Sequence, residues 1–485
     1  MSSDPASVGR ADVMDTDADT LEDPLASQRS ESLRPHAYLF LVLECDRPAS
    51  GGARYSLMGV EEVVIGRGSE RSSRRELAGG VRRLLVQVPG RTMSSTHARL
   101  RRNEQGWVLE DARSTNGSLV NCEQVDRAVL RDGDLLELGH TFFLFRDALL
   151  APARAALDVD SSEFDTRLPG LSTLLPGGEP QLAVLARVAR SNISLLLLGE
   201  TGTGKEVVAR GVHHLSERKG PFTAVNCGAL PPTLVESQLF GHVKGAFSGA
   251  IRDEPGAIRA ADEGTLLLDE VGDLPREAQP AFLRFLQERE VTPIGSARPC
   301  KVDVRVIAAT HQPLAQLVNE GKFRADLLAR LSGFTHLLPP LRQRREDIGI
   351  IVADIIRRGP PSDEVMTIPT AVGRQLFRHS WPANIRELEQ ALIRGFTLAA
   401  PGALDARHFL QGITDRPPGA SPTGPIVMGK PLDEADAKLR QELLALLEQH
   451  DGSVSDVARA LGKARTQVHR WLKRLDIDPN NFRSR

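Results

Sequence analysis

The chain has 485 residues, too many for one hydrophobic core, and at about 100 to 200 residues per domain it divides into three or four units. Hydrophobic residues at 41% and charged residues at 26% suit soluble globular domains, and no apolar run nears the roughly 20 residues of a membrane-spanning helix, which excludes an embedded helical protein. A formal net charge of −2 requires any nucleic-acid binding to come from a local basic patch, and four scattered cysteines (Cys45, Cys122, Cys227, Cys300) give neither a disulfide framework nor metal-ligand spacing.

Residues 1–35 are polar and acidic, with too little apolar surface to offset ordering entropy, and read as a disordered tail. The first residues lack the apolar segment of a secretory signal, so a reducing, cytoplasmic setting is expected. Thr16 and Thr20 each precede an Asp by three residues; as phosphothreonines either would be a ligand for a phosphate reader, and the alternative is an ordinary solvated tail.

Residues 36–147 carry short apolar runs (YLFLVLE, VEEVVIG, LLVQV, WVLED, DLLELG, FFLF) broken by Gly, Asn and Asp turns, the pattern of an all-β sandwich. Gly66-Arg67, Ser94-Ser95-Thr96-His97 and Ser114-Thr115-Asn116-Gly117 follow in that order. A guanidinium and a hydroxyl suit a phosphate, and an asparagine amide suits the backbone beside it. Together these fragments resemble a forkhead-associated (FHA) domain. The resemblance implies that Arg67 and Ser94 bind the phosphate of a phosphothreonine protein or peptide, that Thr115 selects phosphothreonine, and that Asn116 holds the ligand's main chain. Ser95, in the same binding loop, stands where the family commonly has a basic residue, His97 braces the loop, and RSSRRELAGGVRR is an insertion whose arginines either reinforce the phosphate site or are solvated. A degenerate domain kept as a docking surface is the alternative.

A linker is expected over 148–165. From 166 to 412, longer helical patterns alternate with unbroken apolar strands (SLLLLG, GTLLLDE, VDVRVIAAT), as in a parallel sheet covered on both faces. Gly199, Glu200, Thr201, Gly202, Thr203, Gly204, Lys205 and Glu206 form GETGTGKE between such a strand and a helix, the setting of a phosphate-binding loop in which backbone N–H groups and Lys205 meet ATP phosphates. Glu206 stands where that motif usually places a Ser or Thr on Mg2+, so Asp269 and Glu270, at the end of TLLLDE, are the metal ligands, with one carboxylate also near the attacking water.

This region resembles the AAA+ domain of sigma-54-dependent transcriptional activators, the bacterial enhancer-binding proteins, most specifically in QLFGHVKGAFSGA. The resemblance implies that Gly245, Ala246, Phe247, Ser248, Gly249 and Ala250 contact sigma-54, with Phe247 as the apolar probe and Ser248 replacing a usual Thr. It further implies that Asn226 switches catalytic Glu270, and that Arg324 and Arg330 are arginine fingers entering a neighbouring subunit, hence a hexameric ring. By the same resemblance Arg386, in a helical lid beginning at about 342, is expected to bind and sense the nucleotide. His311, expected at the ATP site, stands where the family has Asn, and Leu328 and Ala329 replace a tyrosine pair.

Residues 413–430 read as a Pro/Gly/Ser-rich linker. In 431–485, apolar residues at helical spacing flank a turn at Gly462, and five basic residues and no acidic one lie between Lys463 and Leu475. This resembles a Fis-type helix-turn-helix, implying that Arg465, Thr466, Gln467, His469, Arg470, Lys473 and Arg474 face upstream, enhancer-like DNA. A partner-binding amphipathic helix is the alternative. The expected fold is therefore multidomain: an all-β FHA sandwich, an α/β AAA+ P-loop ATPase with an α-helical lid, and an all-α helix-turn-helix domain. The expected function is ATP-driven opening of promoter complexes of the sigma-54 RNA polymerase holoenzyme, with phosphothreonine from a Ser/Thr kinase as the signal. A DNA-bound phosphopeptide adaptor with a decayed ATPase, and an AAA+ remodeller with another client, are the other readings.

Overall fold

The computed structural model describes residues 33–165, 168, 170–229, 231–359, 366–398, 404, 406–410, 446, 450, 453–461 and 468. The chain forms two compact units, 1–418 and 419–485.

The first unit begins with a two-sheet sandwich. One sheet has the order β13-β2-β1-β12-β11-β8-β9, built from β1 (Arg34–Glu44), β2 (Ala53–Ser56), β8 (Ser118–Val120), β9 (Glu123–Val125), β11 (Leu135–Leu138), β12 (Thr141–Ala151) and β13 (Asp158–Asp160). The other has the order β10-β7-β6-β3-β5-β4, from β3 (Glu62–Arg67), β4 (Ser72–Ala78), β5 (Val81–Val88), β6 (Ala98–Asn103), β7 (Gly106–Asp111) and β10 (Arg127–Val129). Strand side chains alternate between faces, so Leu39 and Leu41 of β1, Leu136 and Leu138 of β11, and Phe143 and Phe145 of β12 fill the space between the sheets.

Two expectations are corrected here. The segment 148–165 is not a linker: β12 runs on to Ala151, and Asp158–Asp160 pairs antiparallel with β2. RSSRRELAGGVRR forms the β4–β5 hairpin, and Arg71 and Arg75 in it neither reinforce the phosphate site nor stand solvated. Arg71 pairs with Asp160 at 2.6 Å and Glu44 at 3.1 Å, and Arg75 pairs with Asp158 at 2.6 Å, so these guanidiniums fasten the hairpin to the chain leaving the sandwich and take no part in the phosphate site.

Next comes a parallel sheet of order β15-β16-β19-β14-β20, from β14 (Leu195–Leu198), β15 (Phe222–Asn226), β16 (Thr265–Asp269), β19 (Arg305–Thr310) and β20 (Phe334–Leu337), with β17 (Glu290–Val291) and β18 (Cys300–Lys301) as a small side ribbon. Helices α1 (Glu179–Ala189), α2 (Lys205–Leu215), α3 (Pro232–Phe240), α4 (Gly256–Ala260), α5 (Ala278–Glu288), α6 (Leu314–Asn319) and α7 (Ala325–Leu331) accompany it. Strands buried on both faces explain the unbroken apolar runs. The exception inside β19, Arg305, is buried because its guanidinium caps the C-terminal end of α1, donating to the carbonyls of Val188, Ala189 and Ser191.

The lid comprises α8 (Ile348–Arg358), α9 (Thr370–Arg378), α10 (Asn384–Thr397) and α11 (Ala406–Leu410). It shares one core with the sandwich: Tyr38, Phe40, Val42, Phe142 and Leu144 pack with Ile348, Val352, Val372, Leu376, Phe377 and Trp381. Two glycines let the surfaces meet, since a Cβ on Gly349 would strike the Val42 carbonyl and one on Gly373 the Phe142 ring. Polar ties join them as well: the Ile368 amide donates to the Cys45 carbonyl at 2.8 Å, Arg374 pairs with Glu137, and Arg146 pairs with Glu346.

The second unit contains α12 (Val454–Ala460), whose Val457 and Ala458 are buried, in line with the helical spacing of its apolar residues. The expected DNA-facing residues Arg465, Thr466, Gln467, His469, Arg470, Lys473 and Arg474 lie outside the described residues, as do most of the expected tail and the 413–430 linker. No described helix is long and apolar enough to cross a membrane, and all four cysteines are free.

Candidate functional site

The P-loop follows β14. Gly202 (φ 80°) and Gly204 (φ 96°) adopt left-handed backbone, which glycine tolerates without a Cβ penalty, and α2 starts at Lys205. Lys205 Nζ donates to the Gly199 carbonyl at 3.0 Å and lies 4.0 Å from Glu270 Oε1. Burial pulls its ammonium below the ordinary lysine range, while Glu270 and Asp269 oppose that pull. Thr203 is buried with Oγ1 on the Glu200 carbonyl at 2.8 Å, and Thr201 is exposed. Glu206 points outward and pairs with Arg210 at 2.7 Å, one helical turn on.

Asp269 and Glu270 end β16. Burial, then the neighbouring Glu270 charge, pushes the Asp269 carboxyl above the ordinary aspartate range. Glu270 adopts φ 51° and directs Oε2 to His311 Nδ1 at 2.8 Å. Asn226, in register with Asp269 on the neighbouring strand, instead caps its own turn, its Oδ1 accepting from Gly228 and Ala229 amides at 2.9 and 3.1 Å. The structure thus brings Lys205, Asp269, Glu270 and His311 together, while the Asn226 carbonyl oxygen is committed elsewhere. Among the described residues no group of three or more His, Cys, Asp or Glu is arranged to hold a metal. Two adjacent carboxylates beside a phosphate loop still fit Mg2+, which is usually held by one or two carboxylates, phosphates and water.

The lid closes on the P-loop through residues the sequence reading passed over. Asn384 (φ 58°, fully buried) donates through Nδ2 to the Thr201 carbonyl at 3.0 Å and to Glu200 Oε2 at 3.1 Å. Arg342 pairs with the same Glu200 carboxylate at 2.5 Å, and this bond is the main cause holding Glu200 below the ordinary glutamate range. The amides of Ile385 and Arg386 meet the Gly202 carbonyl at 2.9 and 3.3 Å, and the Arg386 side chain is exposed. Asn384 follows WPA, and a polar residue opening an amphipathic helix was a readable hint; Arg342 had no local signal. Between α2 and the lid lies a pocket lined in part by Gly170, Gly204, Val207, Ile350, Ile351 and Ile385, apolar enough for a flat heterocycle.

Arg324 and Arg330 are exposed at the start and in the last turn of α7, and Arg324 pairs with Asp326 at 2.7 Å. The GAFSGA loop joins α3 to α4. Gly245 (φ 81°) and Gly249 (φ 108°) turn the chain, and the Gly245 amide closes the loop on the Ala250 carbonyl at 2.9 Å. Phe247 is 39% exposed and stands edge-on to His242 with ring centroids 4.9 Å apart. Ser248 is exposed, Ala246 half-buried and Ala250 buried.

In the sandwich, the loops after β3, β5 and β7 meet at one end. Arg67 is exposed, and among the described residues its guanidinium makes no ion pair; its amide donates to the Ser94 carbonyl at 2.8 Å. Ser94 Oγ accepts from the Thr115 amide at 3.1 Å, and Asn116 Nδ2 donates to the Thr92 carbonyl at 2.8 Å. Ser95 and the Thr115 side chain face outward. Buried His97 accepts from the Ser94 amide and donates from Nε2 to the Gly117 carbonyl at 3.1 Å, and burial keeps its pKa below the ordinary histidine value. Arg67, Ser94, Ser95, Thr115 and Asn116 are therefore brought to one rim.

The family models agree with this layout: the sigma-54 interaction domain matches residues 179–336, the FHA domain 63–139, the AAA+ ATPase lid domain 342–424 and a homeodomain-like domain 434–478. The chain is 39% identical to the acetoin catabolism regulatory protein of Cupriavidus necator over 367 residues, 73% of this chain and 53% of that protein. It is 40% identical to the regulatory protein AtoC of Escherichia coli over 301 residues, 61% of this chain and 65% of that one. It is 42% identical to the DNA-binding transcriptional regulator NtrC of Azospirillum brasilense over 273 residues, 55% of this chain and 56% of that one. The matches thus span about half to two thirds of these relatives' length. The chain carries a sigma-54 interaction domain, with an FHA domain before it and an AAA+ lid domain and a homeodomain-like domain after it.

Proposed function

We propose that the chain hydrolyses ATP in a hexameric ring and uses that work to open promoter complexes of the sigma-54 RNA polymerase holoenzyme, under control of phosphothreonine read by its FHA domain. The observation that carries this reading is the approach of Lys205 to Glu270, at 4.0 Å, in a domain whose GAFSGA loop is inserted between the strands ending in Asn226 and Asp269. A change at the ends of β15 and β16 is thereby linked through α3 and α4 to Phe247.

In this reading the adenine base enters the apolar pocket beside α2, and the P-loop amides with Lys205 hold the phosphates. Glu270 orients the attacking water. Asp269 and Glu270 would hold Mg2+, which when bound neutralises charge on the phosphate oxygens. Exposed Arg324 and Arg330 suit entry into a neighbouring subunit's site, and Arg386 follows the nucleotide from the lid. The homeodomain-like domain tethers the ring to upstream DNA in the cytoplasm, with Arg465, Thr466, Gln467, His469, Arg470, Lys473 and Arg474 facing the duplex.

The phosphothreonine signal comes from a Ser/Thr kinase and reaches the ATPase through the lid. Asn116 braces Thr92; the Thr92 hydroxyl accepts from the His140 amide at 3.2 Å; the His140 carbonyl accepts from Cys45 at 2.9 Å; and the Cys45 carbonyl accepts from lid residue Ile368. Those contacts offer a physical path from the reader loops to the lid.

The test is ATP-dependent open-complex formation on a sigma-54 promoter by the purified chain, comparing wild type, Lys205→Ala and Ser248→Ala, with and without a phosphothreonine peptide. Opening that requires both residues and responds to the peptide is expected. ATP hydrolysis without opening would point to another client, and neither activity to a DNA-bound adaptor.

A further inference from the structure

We propose that His311 is the positioning residue for Glu270, performing the carboxylate-holding task that the family resemblance assigns to Asn226. This inference rests on the reading of Glu270 as the group that orients the attacking water.

Glu270 has left-handed backbone at φ 51°, an arrangement that in a non-glycine residue persists only where neighbours hold it. The holding group is found at the end of β19, in Thr310 and the residue that follows it. Glu270 Oε2 accepts from His311 Nδ1 at 2.8 Å, from the His311 amide at 3.3 Å and from the Thr310 hydroxyl at 3.4 Å. A carboxylate only accepts, so Nδ1 carries the proton in this bond. The other oxygen, Oε1, faces Lys205. One oxygen is thus anchored by three donors from one strand end, and the other is left toward the P-loop, as a water-orienting carboxylate requires.

The backbone that carries the anchor is tied down on both sides. β19 is buried along its whole length between β14 and β16, and the Gln312 amide returns to Thr310 Oγ1 at 3.0 Å while its side chain reaches Asp273 Oδ1 at 2.6 Å. Among the described residues Asn226 makes no hydrogen bond to Glu270: its Oδ1 accepts from the amides of Gly228 and Ala229, and the Nδ2 that could donate to a carboxylate does not reach it. A histidine where the family has asparagine therefore redistributes the work at this site. Its Nδ1 lies as many bonds from the backbone as an asparagine amide nitrogen, so the smaller residue can make the same bond.

The experiment uses the full chain and measures kcat and KM for ATP hydrolysis, with equilibrium affinity for a fluorescent ATP analogue, in wild type, His311→Ala, His311→Asn, Asn226→Ala and Glu270→Gln. His311→Ala should lower kcat about 10- to 100-fold, the scale of a misplaced catalytic group, with analogue affinity within about 2-fold of wild type. His311→Asn should recover most of the loss, and Asn226→Ala should lose less than His311→Ala. His311 is exposed, so the variants are expected to fold. An unchanged kcat in His311→Ala, a parallel fall in analogue affinity, failure of asparagine to rescue, or a larger loss from Asn226→Ala would each overturn the proposal. Undiminished hydrolysis in Glu270→Gln would instead overturn the reading of Glu270 itself.

Discussion

Glu137, on β11 of the FHA sandwich, receives two bonds from Arg374 on lid helix α9, at 2.6 and 2.8 Å, and its side chain is only 6% exposed. Removing Arg374 leaves a buried carboxylate without its counter-ion. Arg374→Ala should therefore lower the stability of sandwich and lid together by about 1 to 3 kcal/mol. Replacing both partners with apolar residues, Glu137→Leu with Arg374→Met, should return most of it. Trp107 lies in the sandwich core and Trp381 in the core shared with the lid, so single-tryptophan variants report on each. Denaturant curves that coincide for the two probes and shift together fit one shared core; a shift in only one would defeat this account.

The shared core also makes reader and nucleotide site thermodynamic neighbours. If a phosphothreonine peptide changes ATP affinity by some factor, ATP must change peptide affinity by the same factor. Calorimetric titration of each ligand with and without the other should show equal factors, typically about 5- to 150-fold. Gly349→Val, which drives α8 off the Val42 carbonyl, should bring both factors toward one at a cost of about 1 to 3 kcal/mol in stability. Independent binding in wild type would eliminate the lid as the route of control.

Asp347, at the head of α8, is fully buried and accepts from the Leu174 amide and the Thr173 hydroxyl, both at 2.8 Å. Burial pushes its carboxyl from the ordinary 3.8 to about 6, with the Arg344 charge opposing. The neutral form is favoured in the folded chain, so the folded state binds more protons than the unfolded one between those values. Stability is fully retained below the unfolded value and declines as pH rises through about 6, by about 3 kcal/mol for a shift of this size. Asp347→Asn cannot ionise. Its stability relative to wild type should rise between pH 4 and pH 6.5, measured by denaturant unfolding, and a flat difference would refute the assignment.

Much of this was legible before the structure. The P-loop, TLLLDE and GAFSGA are contiguous motifs whose chemistry depends on local spacing. The runs YLFLVLE and FFLF carry a further signal: an antiparallel sandwich with one wet face alternates, whereas these strands are apolar on both sides. The unbroken run announced a second covering layer, and the lid provides it through Val352 and Phe377. The roles of Arg71 and Arg75 are not legible for a related reason, because their partners Asp160 and Asp158 stand more than 80 residues away in sequence, where no pattern connects them. His311 was visible as a departure, but its hold on Glu270 depends on the parallel pairing of β16 with β19.

The GAFSGA loop adds a final expectation. Phe247 leans on His242, and Ser237 Oγ lies 2.8 Å from His242 Nδ1, fixing the ring against which Phe247 rests. An edge-on pair of this kind contributes about 0.5 to 1.5 kcal/mol beyond buried area and favours the folded-down loop over an extended one. His242→Ala should therefore release Phe247 and strengthen binding to isolated sigma-54, measured without added nucleotide, by about 2- to 10-fold. Ser237→Ala should act in the same direction but more weakly, because the ring remains and only its anchor is lost. If His242→Ala weakened sigma-54 binding instead, the histidine would be part of the contact surface, and Phe247 would already stand in its binding pose.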